Sequence, residues 1–328
     1  MTITSPPSAT RPVRRLVGTV LLAGLVAPVL AWAVLRLVGG ERGRLVQLIA
    51  FTPYVAAVAL ALLVIALVAR RWLVAMLGAV ATVILAACVV PRAIPDRDRG
   101  PSTGVDVTVM TINMYIGQAD PGAIVRLVRR DDVSILAVQE FTTPAEDGLA
   151  AAGLDRLLPY RALAADRAHG TVGSGLYSRF PMTGTGAERG AGGNLQAYAT
   201  IQPPNARALA VESAHPLAPY ATSALPLWRA DLAAEPAPEP AGPLRVLLGD
   251  FNSTLDHAPV RALIRRGYRD AADATGRGLV PTWGTHVPPI TLDHVLVDKR
   301  IGVRKVSVHP IAKSDHRAVI ATLTVPMS

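Results

Sequence analysis

Cysteine is almost missing from this chain: Cys88 is the single one in 328 residues. A disulfide, a thiolate zinc site and a thiol nucleophile are therefore excluded within one chain, and Cys88 lies in an apolar run as a small packing or lipid-facing residue. Charge is also scarce, at 17% of residues, and unevenly placed. A formal charge of +9 suggests a nucleic-acid binder until it is located. Residues 1–100 hold 11 Arg against 3 acidic residues, a net +8, whereas residues 101–328 hold 22 Lys plus Arg against 21 acidic residues, a net +1. The larger part thus lacks the concentrated basic footprint that strong duplex binding needs. No internal repeat is present either.

What the first third does contain is three charge-free apolar runs, Leu16 to Leu35, Leu45 to Ala69 and Trp72 to Val90. Each is close to the ~20 residues a helix needs to cross a bilayer. Three transmembrane helices are expected, the first run being longer than the apolar core of a cleaved signal peptide. Arg70-Arg71 turns the second and third into a hairpin, and Pro28 and Pro53 are tolerable inside membrane helices. Three crossings put the N-terminus and the C-terminal part on opposite sides. Arg11, Arg14, Arg15, Arg70 and Arg71 then face Arg36, Arg42, Arg44, Arg92, Arg97 and Arg99 across the membrane. Five arginines against six hardly decide the orientation by the positive-inside rule; the reading leans to a multi-pass cell-membrane protein with its C-terminal domain outside the cytoplasm.

Residues 92–104, rich in Pro, Asp, Arg and Gly, read as a linker between a membrane domain at 1–91 and one globular domain at 105–328. Val105 to Ile112 alternates as a strand, Gly122 to Arg130 fits a helix, and Val133 to Val138 is an apolar strand. Further strands are expected at Gly173 to Ser178, Ala197 to Ile201, Ala208 to Ala214, Leu244 to Leu248 and Leu292 to Val297, with a helix at Pro259 to Arg266. The mixture indicates an α/β domain with sheets buried by helices. Ala233 to Pro243, with Glu-Pro-Ala-Pro-Glu-Pro, reads as a flexible surface insertion.

Several of these strands stop at polar residues: Asn113, Glu140, His215, and Asp250 with Asn252. Asp315 and His316 form another polar cluster beside an apolar run, and Asp293 interrupts a further strand. Singly, each has an ordinary explanation, a turn for Asn113, a helix cap for Glu140 or Asp250, a satisfied imidazole for His215. Together, several carboxylates, two amides and two imidazoles at strand ends are costly to bury without a metal or an anionic substrate. Oxygen ligands without thiolates suit Mg²⁺ or Mn²⁺.

The ordered segments Thr111-Ile112-Asn113, Val138-Gln139-Glu140, Gly175-Leu176-Tyr177-Ser178-Arg179-Phe180-Pro181, Ala214-His215-Pro216-Leu217, Gly249-Asp250-Phe251-Asn252, Leu292-Asp293-His294-Val295 and Ser314-Asp315-His316-Arg317 resemble the endonuclease/exonuclease/phosphatase superfamily. The resemblance runs from about Val105 to Pro326. It implies a four-layer α/β sandwich, two packed mixed sheets flanked by helices, and metal-dependent hydrolysis of a phosphodiester or phosphomonoester. It further implies that Glu140, with Asn113 and Asp315, holds the metal, that Asp250 and His316, oriented by Asp293, handle the water or the scissile phosphate, and that Asn252 and His215 donate to phosphoryl oxygens. Tyr115 stands where some nucleases of the group have an acidic residue, which argues against a second carboxylate there and against abasic-site repair. Tyr177, Ser178 and Arg179 read as structural, the phosphate contact open to Arg179 being the less favoured alternative and resting only on the fit of a guanidinium to phosphate. The substrate stays open between nucleic acid and a lipid headgroup, no protein partner is implied, and the alternative class is a catalytically silent binding domain at the membrane.

Overall fold

Apolar runs and alternating segments fold apart in the computed structural model, which describes residues 10–167, 170–284 and 288–328. The chain divides into two compact units, one comprising Met1–Glu41 and Phe51–Val90, the other Arg42–Ala50 and Pro91–Ser328. Its first helices are α1 (Thr10–Val38), α2 (Leu45–Ile49), α3 (Thr52–Val68) and α4 (Trp72–Val89).

The first unit is α1, α3 and α4. Leu22, Val26, Ala66, Val74 and Ala75 pack together, as do Ala33, Ala59, Ala81 and Leu85. Meanwhile Leu16, Leu21, Leu25, Val64, Val68, Leu73 and Val83 point outward. Apolar side chains thus face away from the bundle on every helix. Two segments, Val13–Val38 and Trp72–Ala93, are long and apolar enough to cross a bilayer. The expected third falls short: α3 has 17 residues. The apolar run from Leu45 breaks because Pro53, with no N–H to give, occupies the first turn of a new helix rather than the inside of a continuous one. Its first part, α2, belongs to the second unit.

That second unit comprises β1 (Val105–Asn113), α5 (Pro121–Arg130), β2 (Ile135–Gln139), α6 (Thr143–Ala151), α7 (Leu154–Leu157), β3 (Tyr160–Ala164), β4 (Ser174–Ser178), β5 (Met182–Arg189), β6 (Leu195–Ile201), β7 (Leu209–Ala214), α8 (Leu225–Ala234), β8 (Leu244–Asp250), α9 (Ala258–Arg265), β9 (Tyr268–Asp270), α10 (Ala271–Ala274), β10 (Asp293–Asp298), β11 (Gly302–Pro310) and β12 (Arg317–Val325). One sheet has the order β11-β12-β1-β2-β4-β3, the other β5-β6-β7-β8-β10-β9. The central strands are apolar on both faces, as strands covered on both sides must be. Val107 and Val109 on β1 meet Val211, Val246 and Leu248 between the sheets. Met110 and Ile112, one residue out of phase, pack outward against Ile124 and Val128 of α5. Trp228 of α8 and Val260 and Leu263 of α9 cover Leu247 and Leu296 of the second sheet. The four-layer sandwich of two mixed sheets flanked by helices is therefore present.

Strand direction decides what gathers at one end. β1 and β2 run parallel, joined through α5, and β7 and β8 run parallel, joined through α8. Parallel strands deliver their C-terminal ends to the same edge. β10 and β12 run antiparallel to β8 and β1, so their N-terminal ends arrive there too, with Asp293 opposite Asp250 in register. Gly249 is required by this closeness, since a Cβ there would lie 1.8 Å from the Ala214 carbonyl oxygen of β7.

One expectation about this unit needs correction. Ala233 to Pro243 is strapped down rather than loose: its carbonyls accept from Tyr268 Oη at Pro236, from Arg245 Nε at Ala237, and from the Arg300 guanidinium at Glu239 and Pro240. Low side-chain apolarity did not matter because main-chain acceptors hold it. Arg179 has the structural place favoured for it: it binds Asp132 at 2.6 Å beside the start of β2, at the opposite strand ends from Glu140.

Candidate active site

At the shared strand edge, Asn113, the last residue of β1, holds two carboxylates with one amide. Its Nδ2 donates to Glu140 Oε1 at 3.1 Å and to Asp250 Oδ2 at 3.0 Å, joining the first sheet to the second. Its Oδ1 accepts from the Tyr115 N–H at 2.9 Å. For Asn113 to offer its oxygen to a cation beside Glu140, the amide must turn over.

Glu140 leaves β2 in the left-handed region at φ 51°, which turns its side chain back across the strand ends. Its Oε2 accepts from the Ile116 N–H at 2.7 Å. Tyr115 and Ile116 also have positive φ, 46° and 54°, and for β-branched Ile116 that conformation is strained. Burial pushes the Glu140 carboxyl above its ordinary range, against the hydrogen bonds from Asn113 and Ile116.

Asp250, at the end of β8, caps the turn that follows by accepting from the Asn252 N–H at 2.8 Å. Asn252, at φ 48°, donates one amide hydrogen to the Pro216 carbonyl, leaving the other for a ligand. His316 sits between two acids: Nδ1 is 2.8 Å from Asp293 Oδ2 and Nε2 is 3.6 Å from Asp250 Oδ2. Burial alone would depress this imidazole, but the charges of Asp293 and Asp250 outweigh it and push it up to about 10, so it carries a proton at neutral pH. His215 is the opposite case, held low by burial, with Nδ1 buried and without a hydrogen-bond partner among the described residues. The expected residues thus converge, with Asn113, Glu140, Asp250, His316 and Asp293 in one chain of polar contacts.

Sequence reasoning gave no role to several supports. Gln139 Nε2 donates to Ser213 Oγ at 2.9 Å and to the Leu248 carbonyl at 3.4 Å, tying β2 to β7 and β8 beneath the site. Trp283 Nε1 donates to Asp315 Oδ2 at 3.0 Å, and its ring lies 6.5 Å from that of His316. Ser314 Oγ donates to the Asn113 carbonyl and accepts from the His316 N–H. Trp283 lies in a short Pro- and Gly-flanked stretch without periodicity, so only its position ten residues before Asp293 could have signalled it.

Whether a divalent cation fits can be judged from the donors. Glu140, Asp250, Asp293 and Asp315 outnumber the one imidazolium, and Asp293 Oδ1 and Asp315 Oδ1 are buried with no hydrogen-bond partner among the described residues. Such an excess of hard, partly orphaned oxygens suits Mg²⁺ or Mn²⁺. Ligand atoms of Asp250, Asp293 and His316 also lie within 4.8 Å of one another, close enough for one ion. There, however, the His316 proton already supplies positive charge.

Behind His215, β7 carries Glu212, which burial raises to about 7 despite the opposing charge of Arg245, with Glu188 adding to the rise. A carboxyl that binds its proton more tightly when folded favours the fold fully below its unfolded pKa of about 4.5, and that contribution is lost as pH rises to about 7. Glu212→Gln should therefore stabilise the protein at pH 8, on the order of 1–3 kcal/mol, and give no gain at pH 4.5. Thermal unfolding at both pH values checks this; an equal effect at each would contradict it.

The comparisons agree with this architecture. The humanized D. rerio TDP2 structure with 14 mutations superposes with a TM-score of 0.55 at 13% identity, covering 67% of this chain and 99% of that one. An endonuclease/exonuclease/phosphatase from Beutenbergia cavernae DSM 12333 gives 0.52 at 19% identity, covering 67% and 72%. ANGEL2, a 2′,3′-cyclic phosphatase in complex with adenosine-2′,3′-vanadate, gives 0.51 at 13% identity, covering 68% and 96%. Curated protein sequences give no match. Identities this low speak for the fold alone, but residues 110–316, more than half of the chain and spanning all eight site residues, match the Endonuclease/Exonuclease/phosphatase family, and the chain belongs to it.

Proposed function

We propose that the protein is a divalent-metal-dependent phosphoesterase held at a membrane by its N-terminal helices. The observation that carries this is the His316 imidazolium clamped between Asp293 and Asp250, with Asn113 linking Asp250 to Glu140.

Glu140, with Asn113 and Asp315, would hold Mg²⁺ or Mn²⁺, which when bound neutralises phosphoryl charge. The chain's own groups divide the remaining work. Asp250 accepts a hydrogen bond from the attacking water and draws its proton. His316, oriented by Asp293, donates to the phosphoryl group as negative charge builds, and Asn252 and His215 add donors from the β7–β8 side. The near-neutral charge of residues 101–328 favours a small phosphodiester, such as a headgroup or a nucleotide end, over duplex nucleic acid.

The anchor reading rests on parity. Arg42–Ala50 and the chain from Pro91 onward fold in one unit, so the segment between them crosses a bilayer an even number of times. If α4 crosses, α3 must return. Its 17 residues span roughly 26 Å at the α-helical rise, enough with modest bilayer thinning. With α1, that makes three crossings.

Two experiments test these readings. Detergent-solubilised full-length protein should hydrolyse bis(p-nitrophenyl) phosphate only with Mg²⁺ or Mn²⁺. Glu140→Ala and His316→Ala should each lower kcat/KM by about a hundredfold or more. Activity retained in both variants would sink the assignment. For topology, Arg71→Cys and Ser328→Cys, each in a Cys88→Ala background, should label from opposite faces of sealed vesicles. Labelling from one face would remove the α3–α4 crossings.

A further inference from the structure

The loop after Asp250 is anchored from an unexpected direction. Phe251–His257 carries Asn252, and it is held in part from within the sandwich. Trp228 Nε1 donates to Ser253 Oγ at 2.9 Å, and His294 Nε2 lies 2.9 Å from the Ser253 carbonyl. Its far end is held by residues that flank the apolar hairpin. Arg92, three residues beyond α4, grips Asp256 with both guanidinium nitrogens at 2.8 and 2.6 Å, and both side chains are buried. His257 Nδ1 accepts from the Thr254 N–H at 2.9 Å, which places the ring proton on Nε2. That Nε2–H then donates to the Val46 carbonyl of α2 at 2.9 Å.

Val46 is itself fully buried among Trp228, Phe251, Leu255 and Val260. The chain leaving α4 is pinned further along, with the Gly278 N–H donating to the Arg92 carbonyl and the Asp96 N–H to the Ala274 carbonyl. So residues 92–96, expected to be linker, are part of the catalytic unit. Both segments are covalently continuous with the apolar helices, and both end on a loop only a few residues from Asp250 and Asn252.

We propose that Arg92 and α2 are positioning elements for the active-site loop, so that the N-terminal region sets the placement of Asp250 and Asn252 as well as providing an anchor. This rests on the phosphoesterase reading for its catalytic consequence, and on geometry alone for its structural one. A bidentate buried ion pair fixes direction as well as distance, and removing Arg92 leaves a carboxylate buried without that partner. Asp256 would then pull toward water and carry Thr254 to His257 with it. A displacement of about 1 Å in reacting groups can cost about a hundredfold in rate. A fragment beginning at Val105 lacks both Val46 and Arg92 and should show the same defect.

The test uses full-length protein in detergent, with Arg92→Ala, Arg92→Lys and the double variant Arg92→Ala/Asp256→Asn. Hydrogen–deuterium exchange should rise in peptides covering 250–257 for Arg92→Ala while those covering β1 and β2 stay unchanged. Arg92→Lys, which keeps the charge but not the fork, should fall between. The double variant, which removes the buried charge, should recover most of the protection. On bis(p-nitrophenyl) phosphate with Mg²⁺, kcat should drop by about ten- to a hundredfold with KM little changed, and recover in the double variant. Unchanged exchange at 250–257, or a rise spread evenly over the whole unit, would overturn the proposal. Protein that is inactive throughout yet shows the local exchange pattern would refute the phosphoesterase reading and leave the positioning role standing.

Discussion

One amide holds the two halves of the site together. Asn113 ends a strand of the first sheet, yet its Nδ2 reaches Glu140 on its own sheet and Asp250 on the other. The shared donor eases the repulsion between the two carboxylates, since like charges in a poorly solvated site repel strongly. The rest follows from keeping that amide in place. Gln139 and Ser213 tie the sheets together just beneath it, and Ser314 holds the Asn113 carbonyl from the side of His316.

The same edge shows how topology replaces long sequence motifs. Two parallel strand pairs bring four C-terminal ends to one place, and antiparallel β10 and β12 bring Asp293 and the Asp315-His316 pair to meet them. The backbone then makes local exceptions. Glu140, one residue past β2, and Asn252, two residues past β8, both take positive φ, which turns a side chain at the strand end into the cleft. Ile116 bears the most strained of these conformations, and its N–H goes to a Glu140 oxygen. Backbone strain is thus placed directly against the Glu140 carboxylate.

Much of this was legible in the sequence because the relevant signals are local. The apolar runs that stop at Asn113, Glu140, His215 and Asp250 mark strand ends directly, and the expected strands fall within a few residues of those observed. What was not legible depends on partners far along the chain. β5, with Gly184 and Gly186 and a largely exposed face, carries little hydrophobic alternation. Trp283 gains its meaning only from Asp315, and Arg92 only from Asp256, 164 residues away. The break between α2 and α3 was hidden because both segments are apolar; burial of Val46 against Trp228 distinguishes a core residue from a membrane one, and composition does not.

The central claim is that Glu140 and its neighbours hold the metal while Asp250, Asp293 and His316 manage protons and phosphate. The most direct measurement is anomalous diffraction from crystals of the full-length protein soaked in Mn²⁺. The account predicts an anomalous peak against Glu140, with His316 still paired to Asp293. A peak among Asp250, Asp293 and His316, with none at Glu140, would contradict it.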